Sequence, residues 1–318
     1  MDNHSDYDDI YLIPKQGCSS INSRTEVDLK TNFYGLYPII SSPMKAISGV
    51  NLVIEMAKNN CLGILHRFDT PEQRIKNIHA IAKENVKFGI AIGVHDFLTE
   101  LDIASCAFEK GAVLICVDCA NGYMEQLYGI GEKLVSRFGT EIALMSGNIV
   151  TRQGAEHLKN CGYDFVRVGI GGSKVCTTRT MTGVGRNNLS AIYDCKWANK
   201  YIVADGGVNE PGKAVKSFAV GADFVMMGSA LAYADESEGT DTIYGMASEK
   251  LHREEGKLIK SIEGMEIKID VDKKRPLREI IEQYLWCIRS ACTILGCAHY
   301  NQIYDRAKIV LANENQFV

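Results

Sequence analysis

Eight short apolar runs rich in β-branched residues recur along this chain at intervals of roughly 20 to 35 residues, each followed by a stretch long enough for a helix. They are Pro38–Ser41, Cys61–Leu65, Phe88–Ile92, Val113–Val117, Ile142–Met145, Phe165–Val168, Tyr201–Ala204 and Phe224–Met227. The segments between them carry apolar and charged faces at helical spacing, as in Thr151–Asn160, which closes at Cys161-Gly162. This alternation predicts an α/β fold with parallel strands and crossover helices. Eight units over about 200 residues favour a closed (β/α)8 barrel, the TIM-barrel architecture, over an open doubly wound sheet. A polar stretch without strong periodicity follows at about 244–274, and a helical segment then runs from Pro276 to about Gly296. The polar stretch reads either as a mobile flap over the barrel mouth or as a surface excursion with no role.

Composition narrows the function classes. With 318 residues, 46% hydrophobic and 23% charged, the chain is long enough to bury a large core. A formal net charge of -4 gives no basic excess for a phosphate backbone, so a nucleic-acid partner is not expected. The acidic start Met1–Asp9 is unlike a leader peptide, and no apolar run of membrane-spanning length occurs, so a cytoplasmic protein without a membrane partner is expected. The 11 cysteines show no regular spacing and read as reduced thiols. One pair, Cys116 and Cys119, has the spacing of redox dithiols and zinc sites. It begins inside a buried strand, where positions three apart face opposite ways, so the structural reading is preferred.

In a barrel the chemistry gathers where strands end and the following loops begin. Those points hold Ser42–Lys45, His66–Phe68, Asp118–Tyr123, Ser146–Asn148, Gly169–Arg179, Asp205–Gly207 and Gly228-Ser229. Gly169, Gly171, Gly172 and Ser173 allow backbone N–H groups to turn toward an anion, and Lys174 adds a charge. A glycine-rich turn alone serves steric needs as readily as phosphate binding. Gly206-Gly207 and Gly228-Ser229, after the last two strands, converge with it and favour a phosphate site. Asp205 is then placed for ribose hydroxyls, since it would repel a phosphate. Cys176, among oriented N–H groups and near Arg179, is the candidate nucleophile, although buried inert cysteine is the commoner fate. Thr178 and Glu263 are possible proton carriers if a flap closes, and a surface carboxylate is the plainer reading of Glu263.

These residues, in this order, resemble the inosine-monophosphate dehydrogenase and GMP reductase superfamily from about Tyr7 to Ala307. The most specific pieces are Asn22–Asp28, Asp118–Tyr123, Val168–Arg179 with Thr182–Gly185, and Ala204–Gly207. Gly221–Ser229, Asp235–Gly239 and Cys287–Thr293 complete the pattern. The dehydrogenase branch usually inserts a regulatory domain after the second strand and carries an Arg-Tyr pair in its flap. Here about one helix separates the second and third runs, and no Arg-Tyr occurs between Tyr244 and Glu263. The resemblance is therefore closest to the reductase branch, as one domain over residues 1–318 with no inserted regulatory domain. Its dehydrogenase alternative oxidises IMP to XMP with NAD, and a nucleotide-binding protein without turnover is a third reading.

The resemblance implies GMP as substrate, with its phosphate on Gly171, Ser173, Lys174, Gly206, Gly207, Gly228 and Ser229. Its ribose would meet Asp205 and its base Met44, Gly245, Met246 and Gly264. Cys176 would attack C2, Thr178 and Glu263 would handle the proton that expels ammonia, and NADPH would give hydride to yield IMP. Cofactor residues map onto Ser23, Arg24, Arg67, Asp118, Cys119, Ala120, Ser290, Ala291, Cys292 and Thr293. Arg67 suits the extra phosphate of NADPH, with a salt bridge to a carboxylate as the equal alternative. A potassium ion is implied on carbonyls of Gly171, Ser173 and Cys176 near Arg179, and a homotetramer is the usual assembly. The chain departs from the pattern at Gly171-Gly172-Ser173-Lys174, where Gly-Pro-Gly-Ser is usual. It departs again at Met44-Lys45 and at Ile269–Lys273.

Overall fold

The computed structural model describes residues 6–172, 177–245, 248–249 and 264–312. The barrel runs through β2 (Ile39–Ser41), α1 (Val50–Lys58), β3 (Ile64–Leu65), α2 (Pro71–Ala82), β4 (Phe88–Ile92) and α3 (Phe97–Glu109). It continues with β5 (Ala112–Val117), α4 (Gln126–Phe138), β6 (Ala143–Ile149), α5 (Arg152–Asn160), β7 (Phe165–Val168) and α6 (Thr178–Thr182). It ends with α7 (Asn188–Cys195), β8 (Tyr201–Asp205), α8 (Pro211–Ala219) and β9 (Phe224–Met227), while β1 (Ile10–Pro14) precedes the barrel. Strands β2 to β9 make one parallel sheet in the order β2-β9-β8-β7-β6-β5-β4-β3. A parallel bridge between Ile40 and Leu62 joins its two ends, so the sheet curls into a barrel as the alternation predicted.

Local chemistry explains why these elements form. Thr151 caps α5 by accepting the Gly154 amide at 3.2 Å, and the helix buries Gly154, Ala155 and Leu158, which fall on one face. Inside the barrel, Phe165, Tyr201 and Phe224 each open a strand and so meet at its N-terminal floor. Phe33 packs edge-to-face on Phe165 with ring centroids 4.9 Å apart and seals that end. The opposite, C-terminal end remains open.

Beyond the barrel, β10 (Thr242–Tyr244) pairs antiparallel with β11 (Glu266–Lys268). These two strands bracket most of the stretch expected as a flap, of which residues 246–247 and 250–263 fall outside the described residues. Helix α9 (Leu277–Leu295) starts after Pro276 and stops at Gly296 with φ +73°, matching the expected segment. Then come α10 (Ile303–Arg306) and β12 (Ala307–Leu311). Strand β12 pairs antiparallel with β1, Ile10 opposite Leu311, which local periodicity did not reveal. No described helix is long and apolar enough to cross a membrane.

Candidate active site at the barrel mouth

A cavity of about 300 Å³ opens at the C-terminal ends of the barrel strands. Ser42 to Met44 reach it from the turn after β2, Arg67 from after β3, and Asp118 to Ala120 from after β5. Asn148 and Arg167 come from β6 and β7, and Gly169 to Gly172 follow β7. Asp205 to Val208 enter with β8, Gly228 and Ser229 follow β9, Gly245 follows β10 and Thr178 opens α6. The three glycine loops expected to converge thus line one space.

Their glycines are needed for close approach. A Cβ on Gly169, which has φ +144°, would lie 2.0 Å from the Asp205 carbonyl. One on Gly172 would lie 2.1 Å from Asn188 Nδ2. Asn188 is buried and donates to the Gly206 carbonyl at 2.7 Å, so it ties the β7 loop to the β8 loop. Where a proline is usual at position 172, the Asn188 amide fills the room. Tyr7 braces the same loops from outside, its hydroxyl 3.1 Å from Ser217 Oγ and 3.4 Å from the Gly206 carbonyl. Lys216 holds the Tyr7 carbonyl at 2.7 Å and Arg179 lies 3.6 Å from Asp6. Neither Tyr7 nor Asn188 was singled out in the sequence.

The floor is charged. Arg167 donates Nη2 to Asp118 at 2.9 Å and lies 4.0 Å from Asp205, while Arg67 Nε donates to Asp118 at 3.1 Å. Burial pushes the Asp118 carboxyl up, but Arg167 and Arg67 outweigh it and the net shift is downward. Asp205 accepts Asn148 Nδ2 at 2.8 Å, yet burial dominates Arg167 there and its pKa rises. Arg67 therefore has the salt bridge that was its alternative reading, and its guanidinium also stacks over Phe68, 4.6 Å from the ring centroid. The sequence signal for Arg167 was an arginine inside an otherwise apolar run ending at the barrel mouth.

The two described cysteines near the mouth, Cys116 and Cys119, are not prepared as nucleophiles. Burial pushes Cys116 up to about 12 and raises Cys119, which donates to the Gly147 carbonyl at 3.1 Å. The described cysteines are free thiols, and no metal-holding cluster of His, Cys, Asp or Glu occurs among the described residues.

Other expected residues are distributed as follows. Met44, Gly171 and Thr178 line the cavity with Asp205, Gly206, Gly207, Gly228, Ser229 and Gly245. Gly264 lies beside that wall, bridged to Ser248, while the Gly245 amide donates to the Met265 carbonyl at 3.2 Å. Ser173, Lys174, Cys176, Met246 and Glu263 fall outside the described residues. Ser23 caps the short turn Arg24–Glu26, which packs on α9, the helix carrying Ser290, Ala291, Cys292 and Thr293. That group lies off the cavity lining, and Cys292 is fully buried.

The Gly171 carbonyl, expected on a potassium ion, accepts Arg179 Nε at 2.9 Å, and Arg179 Nη1 also reaches Asn187 Oδ1 at 3.0 Å. The Ser173 and Cys176 carbonyls expected on the same ion lie outside the described residues.

Fold and site together define a (β/α)8 barrel with a glycine-lined cavity over a buried charged row at the strand ends, where such barrels carry out small-molecule chemistry. Residues 4–317 match the model of the IMP dehydrogenase / GMP reductase domain. The chain belongs to the IMP dehydrogenase / GMP reductase family. It is 31% identical to a protein named GMP reductase from Photobacterium profundum over 337 residues, covering 98% of this chain and 95% of the relative. It is 32% identical to one of the same name from Serratia proteamaculans over 341 residues, and 31% to one from Salmonella paratyphi C over 335 residues. Coverage is again 98% of this chain and 95% of each relative.

Proposed function

We propose that this chain is a cytoplasmic, homotetrameric GMP reductase that converts GMP to IMP and ammonia with NADPH. The observation that carries the reading is the shared cavity where the Gly169–Gly172, Gly206-Gly207 and Gly228-Ser229 loops meet Asp205 and Thr178. The loop amides would hold the phosphate and Asp205 would accept the ribose hydroxyls. Gly245 at the cavity wall, with Met44, would receive the base.

The Cys176 thiolate would form a bond to C2 of GMP. Thr178 and Glu263 would deliver the proton that lets the 2-amino group leave as ammonia, giving a thioimidate. When bound, NADPH supplies a hydride to C2, and the carbon–sulfur bond then breaks to return the Cys176 thiolate and IMP. Arg67, Asp118, Cys119 and Ala120 line the cavity beside the glycine loops and fit a cofactor there. Arg67 is partly exposed and would face the extra phosphate. The stretch bracketed by β10 and β11 would act as the flap that excludes water, within one domain that has no inserted regulatory unit.

The test follows absorbance of the reduced nicotinamide with GMP plus NADPH, and separately with IMP plus NAD. Signal loss in the first mixture is expected, cut by about a thousandfold or more in Cys176→Ala. Signal gained only in the second mixture would make the chain a dehydrogenase, and silence in both would leave a binding protein.

A further inference from the structure

One guanidinium lies between two buried carboxylates on the floor of the cavity. Arg167 is 4% exposed, with Nη2 2.9 Å from Asp118 Oδ1 and Nη1 4.0 Å from Asp205 Oδ2. Each carboxylate has a second partner: Asp118 takes Arg67 Nε at 3.1 Å and Asp205 takes Asn148 Nδ2 at 2.8 Å. The order across the mouth is Arg67, Asp118, Arg167, Asp205, Asn148, with donors and acceptors alternating. Four of the five sit on β5 to β8 or in the residue just beyond, and Arg67 follows β3.

We propose that Arg167 is a positioning residue that sets Asp205 for the nucleotide and Asp118 for the cofactor together, so that two binding steps depend on one side chain. This rests on the reductase reading, which assigns Asp205 to the ribose and Asp118 to the cofactor. A buried carboxylate keeps its charge and rotamer only while a cation or donor faces it. The planar fork of Arg167 faces both aspartates at once, and a lysine ammonium at that position is a point charge without that span. Of the two aspartates, Asn148 reaches Asp205 alone, donating also to the Gly169 carbonyl at 2.7 Å, and Arg67 reaches Asp118 alone, so each end of the row has its own control. A purely structural role for Arg167 would lower the amount of folded enzyme and leave both KM values unchanged.

The test compares Arg167→Lys, Arg67→Gln and Asn148→Ala in steady-state assays with GMP and NADPH, per folded enzyme. Arg167→Lys is expected to raise both KM values by about tenfold, the scale of one charge-assisted hydrogen bond. Arg67→Gln should raise the NADPH value alone and Asn148→Ala the GMP value alone. In calorimetry, Asp118→Asn should weaken GMP binding severalfold although Asp118 is assigned to the cofactor, and this variant decides the matter if Arg167→Lys does not fold. Wild type that fails to turn over GMP removes the reductase reading itself. Wild type that does turn over GMP, with Arg167→Lys moving one KM or neither, or with Asp118→Asn leaving GMP affinity intact, overturns the shared positioning.

Discussion

At the scale of single residues, burial decides which groups keep a charge. Asp223, just before β9, accepts the Ile202 amide at 2.7 Å, but burial outweighs that bond and pushes its carboxyl up to about 6. The folded value lies above the unfolded one of about 3.9, so the fold favours the protonated form. Its stabilising contribution is complete below about pH 4 and is lost as pH rises through about 6, a change of roughly 2–3 kcal/mol. Asp223→Asn, which keeps an acceptor for Ile202, should remove that component. Urea midpoints between about pH 4 and 7 would then differ in slope between wild type and variant, and parallel slopes would show the shift to be absent. Glycines and Asp205 at strand ends were legible because a barrel concentrates chemistry there. Asn188 was not, because its significance lies in distant loop partners such as Gly172 and Gly206, and Arg167, although marked by its place in an apolar run, takes its role from Asp118 and Asp205 at the ends of other strands.

At the scale of elements, periodicity carried most of the information. All eight expected strands are present, three with unchanged ends at Phe88–Ile92, Phe165–Val168 and Phe224–Met227. Helix α5 starts and stops at its own signals, Thr151 and Cys161. Thr151 also lies 2.9 Å from the Tyr123 hydroxyl, which accepts the Val150 amide at 2.9 Å, so one side chain caps α5 and anchors the loop after β5. Thr151→Ala should cost about 1–2 kcal/mol, read from chemical denaturation, with Thr151→Ser recovering most of it. Equal stability of the Ala variant would show the cap to be dispensable. The β10–β11 pair escaped notice because three-residue strands with no strong alternation look like the polar loops around them.

At the scale of the whole molecule, the barrel is held by more than its strands. Asp6 and Tyr7 brace the mouth through Arg179, Lys216 and Ser217, and β1 pairs with β12 outside the barrel. Starting the chain at residue 15 leaves every barrel strand intact but removes the buried Ile10 and Tyr7. The melting temperature should drop by about 5–10 °C. GMP binding should weaken as well, since the brace on Gly206 and Gly207 is lost. Calorimetry of the shortened chain checks both, and an unchanged GMP affinity would separate the brace from the site.

The β1–β12 pairing also bears on how the protein is made. On a ribosome, β12 emerges about 300 residues after β1. The first strand therefore leaves the exit tunnel with its edge bare and waits through synthesis of the entire barrel before its neighbour exists. Tyr11 and Ile13 expose apolar surface on that strand in the finished fold, at 54% and 38%, and Pro14 is exposed beside them. During translation the buried Ile10 joins them, so the strand's whole apolar content stays in water until β12 arrives.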